Sequence, residues 1–220
     1  MIKFYLACLR DNVGSSTAFH AVDGRGYTTN LDKAHIYSKQ EAQRAWDNGR
    51  EFDLPLSASM VRALSVRKAD CQYVPTETLI EKDCDDYLAY KKGKWDGNDL
   101  YWLGDYGQFC TDIEKAETLS IEQAIGGPDH LVFIPKDYIL KVSRLTFASS
   151  LINKRKMTQG QGLITPTHIK RQNRRVNNGK TRLNCPSCGR IVWQFNPYDF
   201  HSCKNLSCDK HSFESEMLYQ

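Results

Sequence analysis

Hydrophobic and polar positions change period several times along the chain. Lys3 to Leu9 alternates and carries Phe4 and Tyr5, which predicts a strand. Ala18 to Val22 and Tyr27 to Thr29 read as the arms of a hairpin around Asp23-Gly-Arg-Gly26. Ser38 followed three residues later by Glu41 is a capping-box signature. It predicts a helix from about Lys39 to Asp47, ended by Asn48-Gly49. The apolar run from Leu54 to Val66 fits either a strand or a helix.

The same order then returns. Asp86 to Tyr90, Asp99 to Leu103 and Gln108 to Cys110 read as strands. Ser120 caps a helix that begins at Ile121 and stops at Gly126-Gly127, and Leu131 to Phe147 is again ambiguous. A shift of 82 residues aligns 5–42 with 87–124 without a gap. Tyr5-Leu-Ala7 then falls on Tyr87-Leu-Ala89, and Tyr27-Thr-Thr-Asn-Leu-Asp-Lys-Ala34 on Phe109-Cys-Thr-Asp-Ile-Glu-Lys-Ala116. Two copies of one α+β unit are expected, over 1–75 and 83–150. At roughly 70 residues each copy is small for an independent core, and packing the two together would bury more apolar surface.

Charge changes the picture beyond Ser150. Residues 1–150 hold 18 basic and 22 acidic residues, whereas 151–184 hold 9 basic and none acidic. These are Lys154, Arg155, Lys156, Lys170, Arg171, Arg174, Arg175, Lys180 and Arg182. With little apolar content after Ile164, this stretch is expected as a flexible basic arm over 151–182. Spaced cations on such an arm suit phosphates, through counterion release, so DNA or RNA is the expected partner. An acidic protein surface is the competitor.

The chemistry concentrates in the tail. Cys185-Pro-Ser-Cys188-Gly189 is followed, fourteen residues after Cys188, by Cys203-Lys-Asn-Leu-Ser-Cys208. Two thiolate pairs separated by a hairpin-sized gap predict one tetrahedral zinc site. Four cysteines would close the coordination sphere, so the site reads as structural. The second pair has four intervening residues rather than two, and His201 and His211 flank it as alternative ligands, although both read better as loop residues. Ile191 to Phe195 alternates as a strand, with Trp193 or Phe195 expected to pack in the core around the metal, exposure for stacking being the alternative.

No secretory signal and no run of eighteen apolar residues is visible, so a cytoplasmic protein with reduced thiols and no membrane contact is expected. The motifs of nucleophilic hydrolases, P-loop proteins and zincin proteases are missing, and no catalytic residue is assigned. Glu81, Asp83, Asp85 and Asp86 form an acidic run that reads as a solvated linker, with a divalent cation as the alternative. Lys91-Lys-Gly-Lys94-Trp95 with Trp102 is either a basic–aromatic patch or a hairpin tip with Trp102 in the core.

The cysteine pattern of residues 185–208 resembles the four-cysteine zinc ribbons of transcription factors, polymerase subunits, topoisomerase tails and ribosomal proteins. The repeat line of aromatic-x-Thr-[Asn/Asp]-[Leu/Ile]-[Asp/Glu]-Lys-Ala, followed by a Ser-capped helix, is similar to small uncharacterised domains of tailed bacteriophages. Together these imply a non-enzymatic phage-type protein in the host cytoplasm. Its arm and zinc ribbon (183–220) would bind nucleic acid while the repeats dock a partner. Two alternatives stay open: a host-takeover or anti-defence protein that inhibits a host protein, and a metal-dependent nuclease built from dispersed acidic residues.

Overall fold

A computed structural model describes residues 2–170, 179–196 and 198–211. The chain divides into two compact units, 1–166 and 167–220.

The first unit opens on a long strand, β1 (Lys3–Val13), which turns at Gly14-Ser15 into β2 (Ser16–His20). Glycine at the first turn position, with φ +56°, supplies the left-handed conformation that a two-residue hairpin needs. β3 (Tyr27–Thr28) adds to β2, and β4 (Tyr37–Ser38) pairs with the start of β1. Helix α1 (Lys39–Asn48) follows with a complete capping box. Ser38 Oγ accepts from the Glu41 N–H at 3.3 Å, and the Glu41 carboxylate accepts from the Ser38 N–H at 2.7 Å. The ambiguous apolar run proves to be three elements in succession: β5 (Asp53–Ser57), α2 (Ala58–Ala63) and β6 (Val66–Lys68). β5 closes the five-stranded sheet along the other edge of β1.

The second half follows a similar order, except that a single bridge from Tyr87 to Leu119 stands where β4 does in the first. β7 (Tyr87–Asp96) turns at Gly97-Asn98 into β8 (Asp99–Leu103), and β9 (Phe109–Cys110) adds to β8. Helix α3 (Ile121–Ile125) is capped by Ser120 and Gln123. β10 (Leu131–Pro135) pairs with β7, then α4 (Lys136–Val142) and β11 (Arg144–Thr146) follow. Leu88, Tyr90, Leu100, Trp102, Val132, Ile134 and Ile139 form this half's main core. Trp102 therefore belongs to the core, while Trp95 is exposed at the hairpin tip.

The halves are interlocked. β6 pairs antiparallel with β11, and each chain end continues into the opposite half. The Thr17 N–H donates to Phe147 O at 2.8 Å, and the Leu100 N–H donates to Ala69 O at 3.1 Å. The Phe147 ring lies 6.4 Å from Phe19, whereas Ala69 and Val74 join the core around Trp102. Between the halves sits a buried ionic cluster. The Asp99 carboxylate meets Arg144 Nη2 at 2.6 Å, Lys68 Nζ at 3.3 Å and the Ser16 hydroxyl at 3.0 Å. Asp99 is fully buried, and Lys68 is 2% exposed.

One boundary differs from expectation. Residues 151–166, predicted as the start of the flexible arm, belong to the first unit. Asn153 caps the one-turn helix α5 (Lys154–Met157), whose Met157 is buried, as is Leu163 beyond it. These two apolar anchors outweigh the polarity of the stretch around them. The second unit contains a two-stranded sheet, β12 (Thr181–Asn184) and β13 (Ile191–Gln194), paired antiparallel.

Candidate metal centre and the hairpin face above it

Two local turns bring four thiols together. In the first, Gly189 takes φ +71°, its N–H donates to Cys185 O at 2.9 Å, and the Cys185 N–H donates to Arg190 O at 2.8 Å. Strand β12 leads into this turn and β13 leads out of it. In the second, the wider spacing is absorbed by Asn205. Its carbonyl O accepts from the Cys208 N–H at 3.0 Å, its side chain accepts from the Ser207 N–H at 3.4 Å, and its own N–H donates to Cys203 Sγ at 3.5 Å.

The Sγ atoms of Cys185, Cys188, Cys203 and Cys208 all lie within 4.8 Å of one another. Cys185 and Cys208 are 3.6 Å apart, and Cys188 and Cys203 are 3.5 Å apart. A disulfide requires about 2.05 Å. A tetrahedral zinc with Zn–S near 2.3 Å places its sulfurs about 3.8 Å apart. The observed spacings thus fit a shared cation and not a pair of disulfides. Such a set is able to hold a metal ion such as zinc, with Cys185, Cys203 and Cys208 buried and Cys188 at the surface. The Asn205 N–H lowers the Cys203 thiol pKa, but burial and the three neighbouring thiols raise it more, up to about 12 in the absence of a cation. A divalent ion is what would allow these sulfurs to ionise together.

Among the described residues no other group of three or more His, Cys, Asp or Glu ligand atoms converges. Neither His201 nor His211 joins the thiols. The His201 N–H donates instead to Gln194 Oε1 at 3.1 Å. The acidic residues Glu81, Asp83, Asp85 and Asp86 line an open cavity of about 450 Å³ with Asp137 and Lys141, without meeting at one point.

Of the two readings of Trp193 and Phe195, packing against the metal is corrected, and both rings are exposed instead. Period-2 alternation buries Val192 against the thiols and Gln194 beneath the loop carrying Asn196 and His201, and leaves Ile191, Trp193 and Phe195 on the outer face, each about half exposed. Phe200 packs against the thiol cluster in their place. Arg182 is the cross-strand partner of Trp193, and the Lys180 ammonium sits 5.1 Å from the centre of the Phe195 ring. Of the predicted nucleic-acid contacts, Lys180 and Arg182 therefore lie on this hairpin. Lys154, Arg155 and Lys156 are exposed on α5 in the first unit, and Lys170 is exposed at the start of the second. Arg171, Arg174 and Arg175 lie outside the described residues.

A second polar cluster went unnoticed in the sequence. His20 Nε2 lies 3.2 Å from the buried Asp53 carboxylate, which Arg50 also holds through Nε at 2.9 Å. His20 closes β2, Asp53 opens β5 and Tyr27 opens β3. The residues at the same points of the second half are Leu103, Leu131 and Phe109, which pack in or against an apolar cluster. An open cavity of about 340 Å³ is lined by His20, Tyr27, His35 and Tyr37. Burial raises the Asp53 carboxyl pKa, but hydrogen bonds from Arg50 and His20 outweigh it and hold the group below its ordinary value.

Comparison with protein-family models, with curated proteins and with solved structures found no match. Among the described residues no helix is long and apolar enough to cross a membrane.

Proposed function

We propose that this chain is a non-enzymatic nucleic-acid-binding protein of phage type, whose tail is a structural zinc ribbon carrying a basic arm. The observation that carries the proposal is the outer face of the β12–β13 hairpin. Its six outward positions are Lys180, Arg182, Asn184, Ile191, Trp193 and Phe195, two cations beside two half-exposed aromatic rings, with no carboxylate among them. Cations beside exposed rings suit phosphates and bases together. Four thiolates leave a zinc ion no open coordination position, so its part is to staple the hairpin.

The first unit is proposed as the partner-docking part, built from two copies of one module. Supporting this, Phe4 pairs with Tyr37 beside β1, and Tyr87 pairs with Leu119 beside β7, in each case one residue before the helix-capping serine. These pairings equate Phe4, not Tyr5, with Tyr87. The ungapped alignment is thus one residue out of register in the first two strands. The first half holds one more residue between its second and third strands, and Gly26 accounts for it. A one-residue slip reverses which face a strand side chain occupies. Tyr5 accordingly packs its ring tilted against Phe19 at 5.5 Å, whereas Tyr87 lies on the opposite face with Leu119 and Ala124.

The test is fluorescence anisotropy of the full, zinc-loaded chain with labelled RNA, single-stranded DNA and duplex DNA at low salt. Binding to at least one that weakens steeply as salt rises is expected. Absence of binding to all three would overturn the proposal and favour an acidic protein surface as the arm's partner.

A further inference from the structure

We infer that the β12–β13 face selects single-stranded nucleic acid, stacking one base on Trp193 and the next on Phe195. The inference rests on the nucleic-acid reading above and adds which form of the polymer the site takes.

Trp193 lies in β13 and Phe195 follows directly on its last residue, both on the exposed face, so extended spacing sets their side chains about 6.8 Å apart. Stacked bases in a duplex are about 3.4 Å apart and show only their edges in the grooves. An extended single strand can splay two consecutive bases to twice that spacing and offer each ring a base face. Trp193 is 51% exposed and Phe195 49% exposed, which leaves ring surface for such contacts.

The cations fit the same occupant. Arg182 stands directly across the hairpin from Trp193, and Lys180 stands over Phe195 at 5.1 Å. Each ring therefore has one positive group beside it, able to take the phosphate joined to the base that the ring stacks. The exchange at Phe195 replaces an exposed cation–ring contact by a base–ring contact and frees the ammonium for a phosphate. Flat rings over a duplex would instead require its bases to unstack first.

The test titrates the full zinc-loaded chain with a labelled twelve-nucleotide single strand, as DNA and as RNA, and with a blunt duplex of equal length. Tight binding to a single strand, weak binding to the duplex and quenching of tryptophan emission are expected. In Trp193→Ala the quenching disappears and single-strand affinity falls roughly 5- to 150-fold. Arg182→Ala lowers the salt slope by about 0.7 on a single strand. Zinc content of each variant, unchanged from the parent, shows that the hairpin is intact. Equal binding of duplex and single strand, or Trp193→Ala binding a single strand like the parent, overturns the inference while leaving nucleic-acid binding in place. Failure of every nucleic acid to bind overturns both.

Discussion

Gly14 and Gly97 meet backbone to backbone where the two hairpin turns of the first unit cross. A Cβ on Gly97 would stand 2.5 Å from the Gly14 nitrogen, and one on Gly14 would stand 2.4 Å from the Asp96 carboxylate. Both glycines have positive φ, +56° and +63°. The turns need glycine for their own conformation, and the crossing needs it again for space. Gly97→Ala is therefore expected to destabilise the unit by about 2–4 kcal/mol in urea denaturation. Gly93 also has positive φ, +71°, but nothing lies within 4 Å of its Cβ position, so Gly93→Ala should cost only the backbone share, about 1 kcal/mol. Equal losses in the two variants would contradict the close approach.

The buried cluster beside this crossing sets a second expectation. Removing the Asp99 carboxylate takes from Lys68 and Arg144 the counter-charge they share, leaving Lys68 with Asp96 at 3.7 Å and Arg144 with Asp70 at 3.8 Å. Asp99→Ala should cost about 3–5 kcal/mol, and part of it should return when Lys68→Met and Arg144→Met are added, because those apolar replacements have no charge to desolvate, although Asp96 and Asp70 then lose their cations. A triple variant no more stable than Asp99→Ala would argue against this account.

Acid should loosen the same seam. Burial raises the Asp96 carboxyl pKa, but the Ser15 hydroxyl and N–H and the Lys68 ammonium outweigh it, so the folded-state value lies below the ordinary one. A depressed carboxylate contributes stability that is present above the unfolded pKa, about 3.9, and is lost as pH falls through the folded value. Asp53, also depressed, acts in the same direction. Stability measured against pH should fall below about pH 4, and Asp96→Asn should flatten that fall. An unchanged acid limb in Asp96→Asn would sink the assignment.

The metal centre predicts a stoichiometry. Close to one zinc per chain is expected in reducing preparations without chelator, and Cys185→Ser should lose it. Residues 1–166, with their own interlocked cores, should keep their cooperative unfolding in that variant. A zinc-free parent protein would remove the ribbon, and zinc kept by Cys208→Ser but lost by His211→Ala would move the fourth ligand to His211.

What the sequence made legible was local. Ser38 with Glu41 and Ser120 with Gln123 announce their helices because a capping box is complete within four residues. The four cysteines announce their cluster because ligand spacing is a local constraint. The turn at Gly14 was hidden, since Arg10-Asp-Asn12 resembles a loop although it belongs to β1. The run from Leu54 was ambiguous because strand and helix follow one another without a break at Ser57. The exchange of Phe147 and Ala69 between the halves joins residues far apart in sequence, and no local period records it. Trp193 is ambiguous in the sequence because aromatic character favours burial, whereas alternation gives the inner positions to Val192 and Gln194.

On the reading proposed above, the metal centre holds in place the face that binds nucleic acid. The most direct measurement is the affinity of one preparation for a labelled single strand before and after its metal is removed with a chelator, at fixed salt. At least a tenfold loss, reversed by added zinc and with residues 1–166 still folded, is the predicted result. Equal affinity with and without metal would contradict it.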